Sequence, residues 1–152
     1  MTDSVYDTLG LSEVADLLAS TVPARLAFVA VDGSPRVQPI WFHWNGRQFV
    51  MCTGADTPKA KAIRKDPRVA FTIDTEAGPY RSLQVRGLAT LEVVPGVPTE
   101  YELAAERYYG KEVGARWIRS VLERRREFAR ITIEPTWAHY MNVGTIFPTV
   151  FE

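Results

Sequence analysis

Two tight-turn signals, Asp32-Gly33-Ser34-Pro35 and Asn45-Gly46, join three apolar segments that leave no room for a crossover helix, so the sheet must start antiparallel. Ala24 to Val31 is nearly continuously apolar and rich in β-formers, Arg36 to Trp44 resumes as a second strand, and Arg47 to Thr53 follows as a third. Alternation puts Val37, Pro39, Trp41 and His43 on one face of the second strand and Gln38, Ile40, Phe42 and Trp44 on the other. A proline offers no ladder donor, which assigns Pro39 to an edge or a bulge. Ahead of these strands, Val14, Leu17 and Leu18 recur at helical spacing behind Ser12, an N-cap residue type, and predict a short helix ended by Pro23.

The stretch CTGADTPKAKAIRKDPRVAF, Cys52 to Phe71, predicts strand end, turn, short helix and next strand. Asp56 and Thr57 are N-cap types, Pro58 suits the first helical position, and Lys59 and Lys61 follow at once. Free N–H groups, the helix dipole and two cations make that helix start attractive to a phosphate, although a capped surface helix with solvated lysines has the same pattern. Asp66-Pro67 stops the helix, and Val69, Phe71 and Ile73 alternate as the fourth strand.

Glu76-Ala77-Gly78-Pro79 then turns the chain into a long fifth strand, Ser82 to Val94, with Leu83, Val85, Ala89, Leu91 and Val93 on its apolar face. Gly87 interrupts it, as a bend or bulge in a strongly curved sheet requires. Past Pro95-Gly96-Val97-Pro98, Thr99 and Glu102 form a capping-box signature for a helix to Tyr109. A second helix, Lys111 to Glu127, would share Val113, Trp117, Val121 and Leu122 on one face, with Arg116, Arg119 and Arg124 to Arg126 on a solvated remainder. Phe128 to Ile133 and Thr136 to Asn142 read as two last strands parted by Pro135. Six or seven antiparallel strands with inserted helices make this a mainly β chain, closed or nearly closed into a barrel.

A length of 152 residues suits one domain spanning 1–152, and 46% apolar with 24% charged residues is ordinary globular composition. Lys plus Arg and Asp plus Glu number 18 each, so there is no global field to draw nucleic acid or an anionic membrane, and any anion site is local. No apolar run reaches the ~18 residues of a membrane span, and the start MTDSVYD is acidic and polar, so the expected compartment is the cytoplasm. One cysteine, Cys52, excludes an intrachain disulfide and reads as core filler or a site-lining thiol, while His43 and His139 lie in no metal-ligand spacing, so no metal is expected.

The segments RVQPIWFHWNGRQFVMCT, TPKAKAIRKDPRVAF and SLQVRGLATLEV, in that order and spacing, resemble the pyridoxamine 5′-phosphate oxidase-like superfamily of flavin-binding split β-barrels. More narrowly they resemble its small members that bind FMN or the deazaflavin coenzyme F-420. The likeness covers Ala24 to Val94 well and the rest loosely. It implies a Greek-key split barrel in which Arg36, Val37, Gln38, Pro39, Ile40 and Trp41 run along the cofactor ring, with Cys52 and Thr53 beneath it. Thr57, Lys59 and Lys61 would match the phosphate site, Gln84 a glutamine reaching in from the fifth strand, and Trp137 an aromatic beside the ring. It also implies a homodimer with the cofactor site at the subunit interface.

Three departures speak against true pyridoxamine phosphate oxidation. Pro58 stands where those oxidases have arginine, Trp41 where they have lysine, and their C-terminal Arg-x-His pattern is absent. The expectation is therefore an FMN- or F-420-dependent oxidoreductase moving hydride between the ring and a small planar organic substrate. No catalytic residue emerges from the sequence, with solvent, Tyr80 or Tyr140 as proton sources. Tyr108 and Tyr109 either border a substrate pocket or are partly buried helix residues. Two other classes stand beside this reading: a carrier or sensor of flavin, deazaflavin or haem, with His43 or His139 as haem ligand, and a small barrel binding single-stranded nucleic acid through its aromatics, which the neutral charge disfavours.

Overall fold

The computed structural model describes residues 4–152. Strands β1 (Ala24–Val29) and β2 (Pro35–Ile40) form the first hairpin, and β3 (His43–Trp44) pairs with β4 (Phe49–Gly54) across Asn45-Gly46. Helix α3 (Pro58–Lys65) leads to β5 (Arg68–Asp74), β6 (Arg81–Pro95) follows, and β7 (Glu127–Asn142) closes the set in the order β2-β1-β5-β6-β7-β4-β3, every pair antiparallel. β2 and β3 thus stand at opposite edges, yet only Trp41 and Phe42 separate them. Three residue steps span at most about 11 Å, so the two edges must curl to within that distance of each other. The sheet is a split barrel, open between β2 and β3. Arg36 to Trp44 is therefore two strands where alternation predicted one, because Trp41-Phe42 carries the chain from one edge to the other. Pro39 does lie in an edge strand, where no neighbour misses its N–H.

The barrel interior holds one apolar cluster: Leu26 and Phe28 from β1, Phe49 and Met51 from β4, Phe71 and Ile73 from β5, Leu83 and Val85 from β6, Ile131 and Ile133 from β7, and Phe42 from the crossover. Helix α2 (Ser12–Ala19) adds Val14, Leu17 and Leu18, and α3 adds Ala62 and Ile63. Each of these side chains other than Ala62 contributes roughly 1.5–3 kcal/mol of burial. Ser12 is the first helical residue of α2 and not its cap, since a short α1 (Val5–Leu9), capped by Ser4 and Asp7, runs almost directly into it.

Gly87 sits at a bulge. The β6–β7 register shifts between Arg86 and Gly87, Gly87 faces Pro135, and a Cβ there would lie 2.6 Å from both the Glu134 carbonyl oxygen and Ile133 Cγ2. Because the ladder is already broken opposite Gly87, Pro135 is tolerated within a continuous β7, correcting the expected pair of strands. Val93, expected in the core, is 43% exposed where β6 runs past the barrel.

Helices α4 (Thr99–Tyr109) and α5 (Lys111–Arg124) form a hairpin against β3 and β4. Pro98 occupies the N-cap of α4 and Thr99 its first turn, so the expected capping box does not form. Glu100 is held by Arg130, which also donates to Thr132 Oγ1 at 2.7 Å, and Arg107 donates to the Ser20 and Phe42 carbonyls. In α5 the buried residues are Gly114 and Ile118, while Val113, Trp117 and Leu122 are exposed. The reason is close approach: a Cβ on Gly114 would meet the Ala105 carbonyl oxygen at 2.9 Å, so the glycine, not the large apolar residues, marks the packed side. Beyond β7 the tail forms a short α6 (Val143–Ile146) and a 3-10 turn with Ile146, Phe147, Val150 and Phe151 exposed. No helix among the described residues is long and apolar enough to cross a membrane.

Candidate functional site

The inner face of β2 leaves the core at Ile40 and reaches the barrel mouth as Gln38 and Arg36, which lie opposite Leu26 and Phe28 of β1. There the loop from β4 to α3 meets them. Arg36, Gln38, Thr53, Thr57 and Lys59 together line a cavity of about 620 Å³ with Phe28, Ala30 and Val31 as an apolar wall. The loop is held in place by Thr57, whose hydroxyl donates to the Gly54 carbonyl at 2.9 Å, accepts from the Ala60 N–H at 3.3 Å as the N-cap of α3, and lies 3.3 Å from Thr53 Oγ1. Pro58 at the first helical position leaves no N–H to satisfy there.

Lys59 is half-buried, with no carboxylate in salt-bridge reach among the described residues. Burial alone pulls its pKa below the usual lysine value. A partly desolvated ammonium in the first turn of a helix is suited to an anion by charge and by dipole. Asp32 is the carboxylate of the lining; hydrogen bonds from the Ser34 hydroxyl and N–H hold its pKa down and occupy Oδ1.

The remaining residues singled out from the sequence lie elsewhere. Ile40 is in the core, and Lys61 is exposed on α3 outside the cavity lining. Cys52 is buried and its thiol is pushed up to about 12, by burial first and then by Glu100. Trp41 packs on the α4–α5 hairpin, stacked on Tyr108 at 5.0 Å and edge-on to Tyr109 at 5.0 Å, with Tyr101 and Trp117 completing the cluster. Tyr108 donates to the Val22 carbonyl at 3.1 Å, so it braces the fold. Neither Tyr80 nor Tyr140 lines the cavity; the Tyr140 hydroxyl is buried without a hydrogen-bond partner among the described residues. His43 is half-buried with its pKa lowered by burial and by Arg107, and His139 is exposed beside Trp137.

Val37, Pro39, Gln84 and Trp137 belong to the opposite, outer face. Register aligns Val37, Ala27, Ala70, Arg86 and Trp137 in one row across five strands, with Pro39, Arg25, Thr72, Gln84 and His139 in the next. A shallow depression of about 480 Å³ runs along these rows, its Arg86 guanidinium 4.6 Å from the Trp137 ring centre. The wall residues Phe28, Ala30 and Val31 were missed from sequence because apolar strand residues read as core; the Gly33 turn beside them was the one signal that the strand ends at an opening.

Residues 11–142 match the pyridoxamine 5′-phosphate oxidase family. A pyridoxine/pyridoxamine 5′-phosphate oxidase of Kineococcus radiotolerans is 45% identical over 74 residues, 49% of this chain and 31% of that protein, so the chain spans less than a third of that relative's length. Among solved structures, an F420 reductase superposes with a TM-score of 0.64 at 28% identity, covering 82% of this chain and 94% of that one. HutZ, the haem storage protein from Vibrio cholerae, shares the fold with a TM-score of 0.63 at 16% identity over 86% of this chain and 92% of its own. With its split barrel and a family match running from α2 to the end of β7, this chain belongs to the pyridoxamine 5′-phosphate oxidase family.

Proposed function

We propose that the protein is an oxidoreductase that holds a phosphate-bearing tricyclic cofactor in the Arg36–Lys59 cavity, coenzyme F-420 in preference to FMN, and passes hydride between its ring and a small planar organic substrate. The observation that carries this is Lys59, a partly desolvated cation in the first turn of α3, facing a cavity with one apolar wall. That donor set fits the cofactor class: cations and helix N–H groups for the phosphate, apolar and polar strand residues for the ring. Preference for the deazaflavin is supported by the 28% identical F420 reductase, 94% of which is covered by this chain.

Within this reading Lys59 and the α3 N-terminus neutralise the phosphate, and Arg36 supplies a second guanidinium contact from the β2 edge. Thr57 fixes the loop before any ligand arrives. Phe28, Ala30 and Val31 exclude water from one side of the ring, and Gln38 offers it an amide. The bound cofactor itself supplies the hydride chemistry. Among the described residues the titratable groups of the lining are Asp32, Arg36 and Lys59; with Asp32 held by Ser34 and the two cations assigned to the phosphate, this reading takes the proton from solvent.

The same reading requires a homodimer. Val37, Gln84 and Trp137 face away from the cavity of their own chain, so one molecule cannot gather all the ring-side residues around one ligand. A second copy, packing its outer face over the cavity, does so and covers Val37, 66% exposed, and the apolar tail. Parallel titrations with F-420 and FMN, followed by ring absorbance and fluorescence, test the assignment. Preference for F-420 is expected; tight FMN binding alone makes this a flavoprotein, and binding of neither overturns the redox reading.

A further inference from the structure

On the outer face of the sheet, His139 of β7 lies directly opposite Gln84 of β6, and its ring stacks on Trp137 at 6.1 Å and 19°. Facing residues of an antiparallel pair hold their Cβ atoms about 4.5–5.5 Å apart. A planar ligand that touches both Gln84 and Trp137 therefore meets His139 as well. The imidazole is exposed to water, and it has open space beside it: Trp137 joins the outer depression of about 480 Å³ to a hollow of about 410 Å³ that His139 lines with Thr8, Leu11 and Tyr140. Arg25 and Arg86 are the charged groups of the outer depression, and neither type of guanidinium gives up a proton in a protein. Histidine is the side-chain type suited to giving and regaining one near neutral pH. The chain has two, and the other, His43, stands in β3 at the far edge of the sheet.

We infer that His139, carried over the cavity by the second copy together with Gln84 and Trp137, is the general acid that hands a solvent proton to the substrate. The inference rests on the proposed function and its homodimer and deepens both, because the cavity's own lining holds no free acid. On a conjugated C=C–C=O substrate, hydride from the reduced cofactor forms the new C–H bond at the β-carbon, and the C=C electron pair moves to the α-carbon through the enolate. The imidazolium N–H bond then breaks to place its proton on the α-carbon, and water returns a proton to the neutral imidazole. The titratable and charged groups around His139 are Arg25, Arg86 and Tyr140 of its own copy and, across the proposed interface, Asp32, Arg36 and Lys59.

The first test needs no turnover. With two histidines the protein has two sets of imidazole proton NMR signals, which H139Q assigns, and added F-420 should shift those of His139 and leave those of His43 in place. With reduced F-420 and cyclohex-2-enone in single turnovers, H139Q should bind the coenzyme within about threefold of the wild type yet reduce the enone about a hundredfold more slowly. The wild-type rate should fall with rising pH as the imidazolium is lost, and the H139Q rate should stay flat. H139F, which keeps a flat ring on Trp137 but has no proton to give, should be as slow as H139Q. Unshifted His139 signals with the coenzyme bound, or an H139F variant as fast as the wild type, overturns the acid and leaves the cofactor reading intact. A wild type that binds the coenzyme and reduces no cyclic enone overturns the acid together with hydride transfer to such substrates, and failure to bind either F-420 or FMN overturns the cofactor reading with it.

Discussion

The two faces of β2 differ in kind. Toward the barrel mouth it shows Arg36 and Gln38, next to Lys59 and the capped start of α3; on the outside it shows Val37 and Pro39, in register with Ala27, Arg25 and, further along, Trp137. One face is charged, concave and preorganised by Thr57. The other is a shallower and more apolar depression, and the β2 residues on both faces are exposed. A strand whose alternate residues carry opposite chemistries is what the proposed homodimer rests on: in that reading each chain supplies two complementary halves of a site and a second copy joins them.

The contrast breaks most sharply on the cavity side. R36A/K59A should weaken binding of the phosphate-bearing cofactor by about a hundredfold or more, since two charge-assisted contacts are lost, with the melting temperature held or raised. Retained affinity in a folded variant would remove the phosphate assignment. On the outer face, V37D should leave the barrel intact, because Val37 sits exposed on an edge strand, yet shift the protein to monomer in sedimentation and weaken cofactor binding by about tenfold. A monomer that binds as tightly as the dimer would break the link between the two faces.

Trp41 sharpens the comparison, lying in the crossover and belonging to neither face. W41A should cost about 2 kcal/mol in denaturant unfolding by opening the Tyr108–Tyr109–Trp117 cluster, while cofactor affinity changes by no more than about threefold. A larger affinity loss with unchanged stability would return Trp41 to the ring.

The pH dependence follows from Lys59, whose folded pKa burial lowers below its unfolded value. Below the folded pKa the ammonium is charged in both states and its desolvation weighs on the native protein. As pH rises through the folded pKa toward the unfolded one, the native state sheds its proton first, so stability without ligand rises while affinity for the phosphate falls. Titrations across alkaline pH should show that fall in the wild type and lose it in K59M. The smallest effect concerns Cys52: with its thiol pushed up to about 12 and buried, iodoacetamide at neutral pH should label native protein far more slowly than unfolded protein.

Much of this was legible in the sequence wherever the cause is local. Asn45-Gly46 and Asp32-Gly33 announce hairpins by backbone chemistry, Thr57-Pro58 starts α3, and Gly87 marks the bulge. Alternation alone divides Arg36 and Gln38 from Val37 and Pro39. What stayed hidden depends on distant partners. Nothing near Trp41-Phe42 says that the chain jumps from one sheet edge to the other, because the alternation runs on unbroken. Pro135 looks like a strand break until Gly87 is known to lie opposite it. In α5 the large residues Val113, Trp117 and Leu122 seem to mark the buried side, whereas a glycine pressed against Ala105 does so. The arginines at the end of α5 read as a solvated run, since only the tertiary fold sets them beside the Asp56 loop.

The most direct test of the two-faced site is subunit complementation. K59A removes the cavity half and Q84A/W137A the outer half, so each variant alone should bind cofactor poorly. After mixing under conditions of subunit exchange, one site in each heterodimer has both halves intact, and ring fluorescence should report recovered binding. Persistent absence of binding in a verified heterodimer, or full binding by Q84A/W137A alone, would contradict a cofactor site shared between two copies.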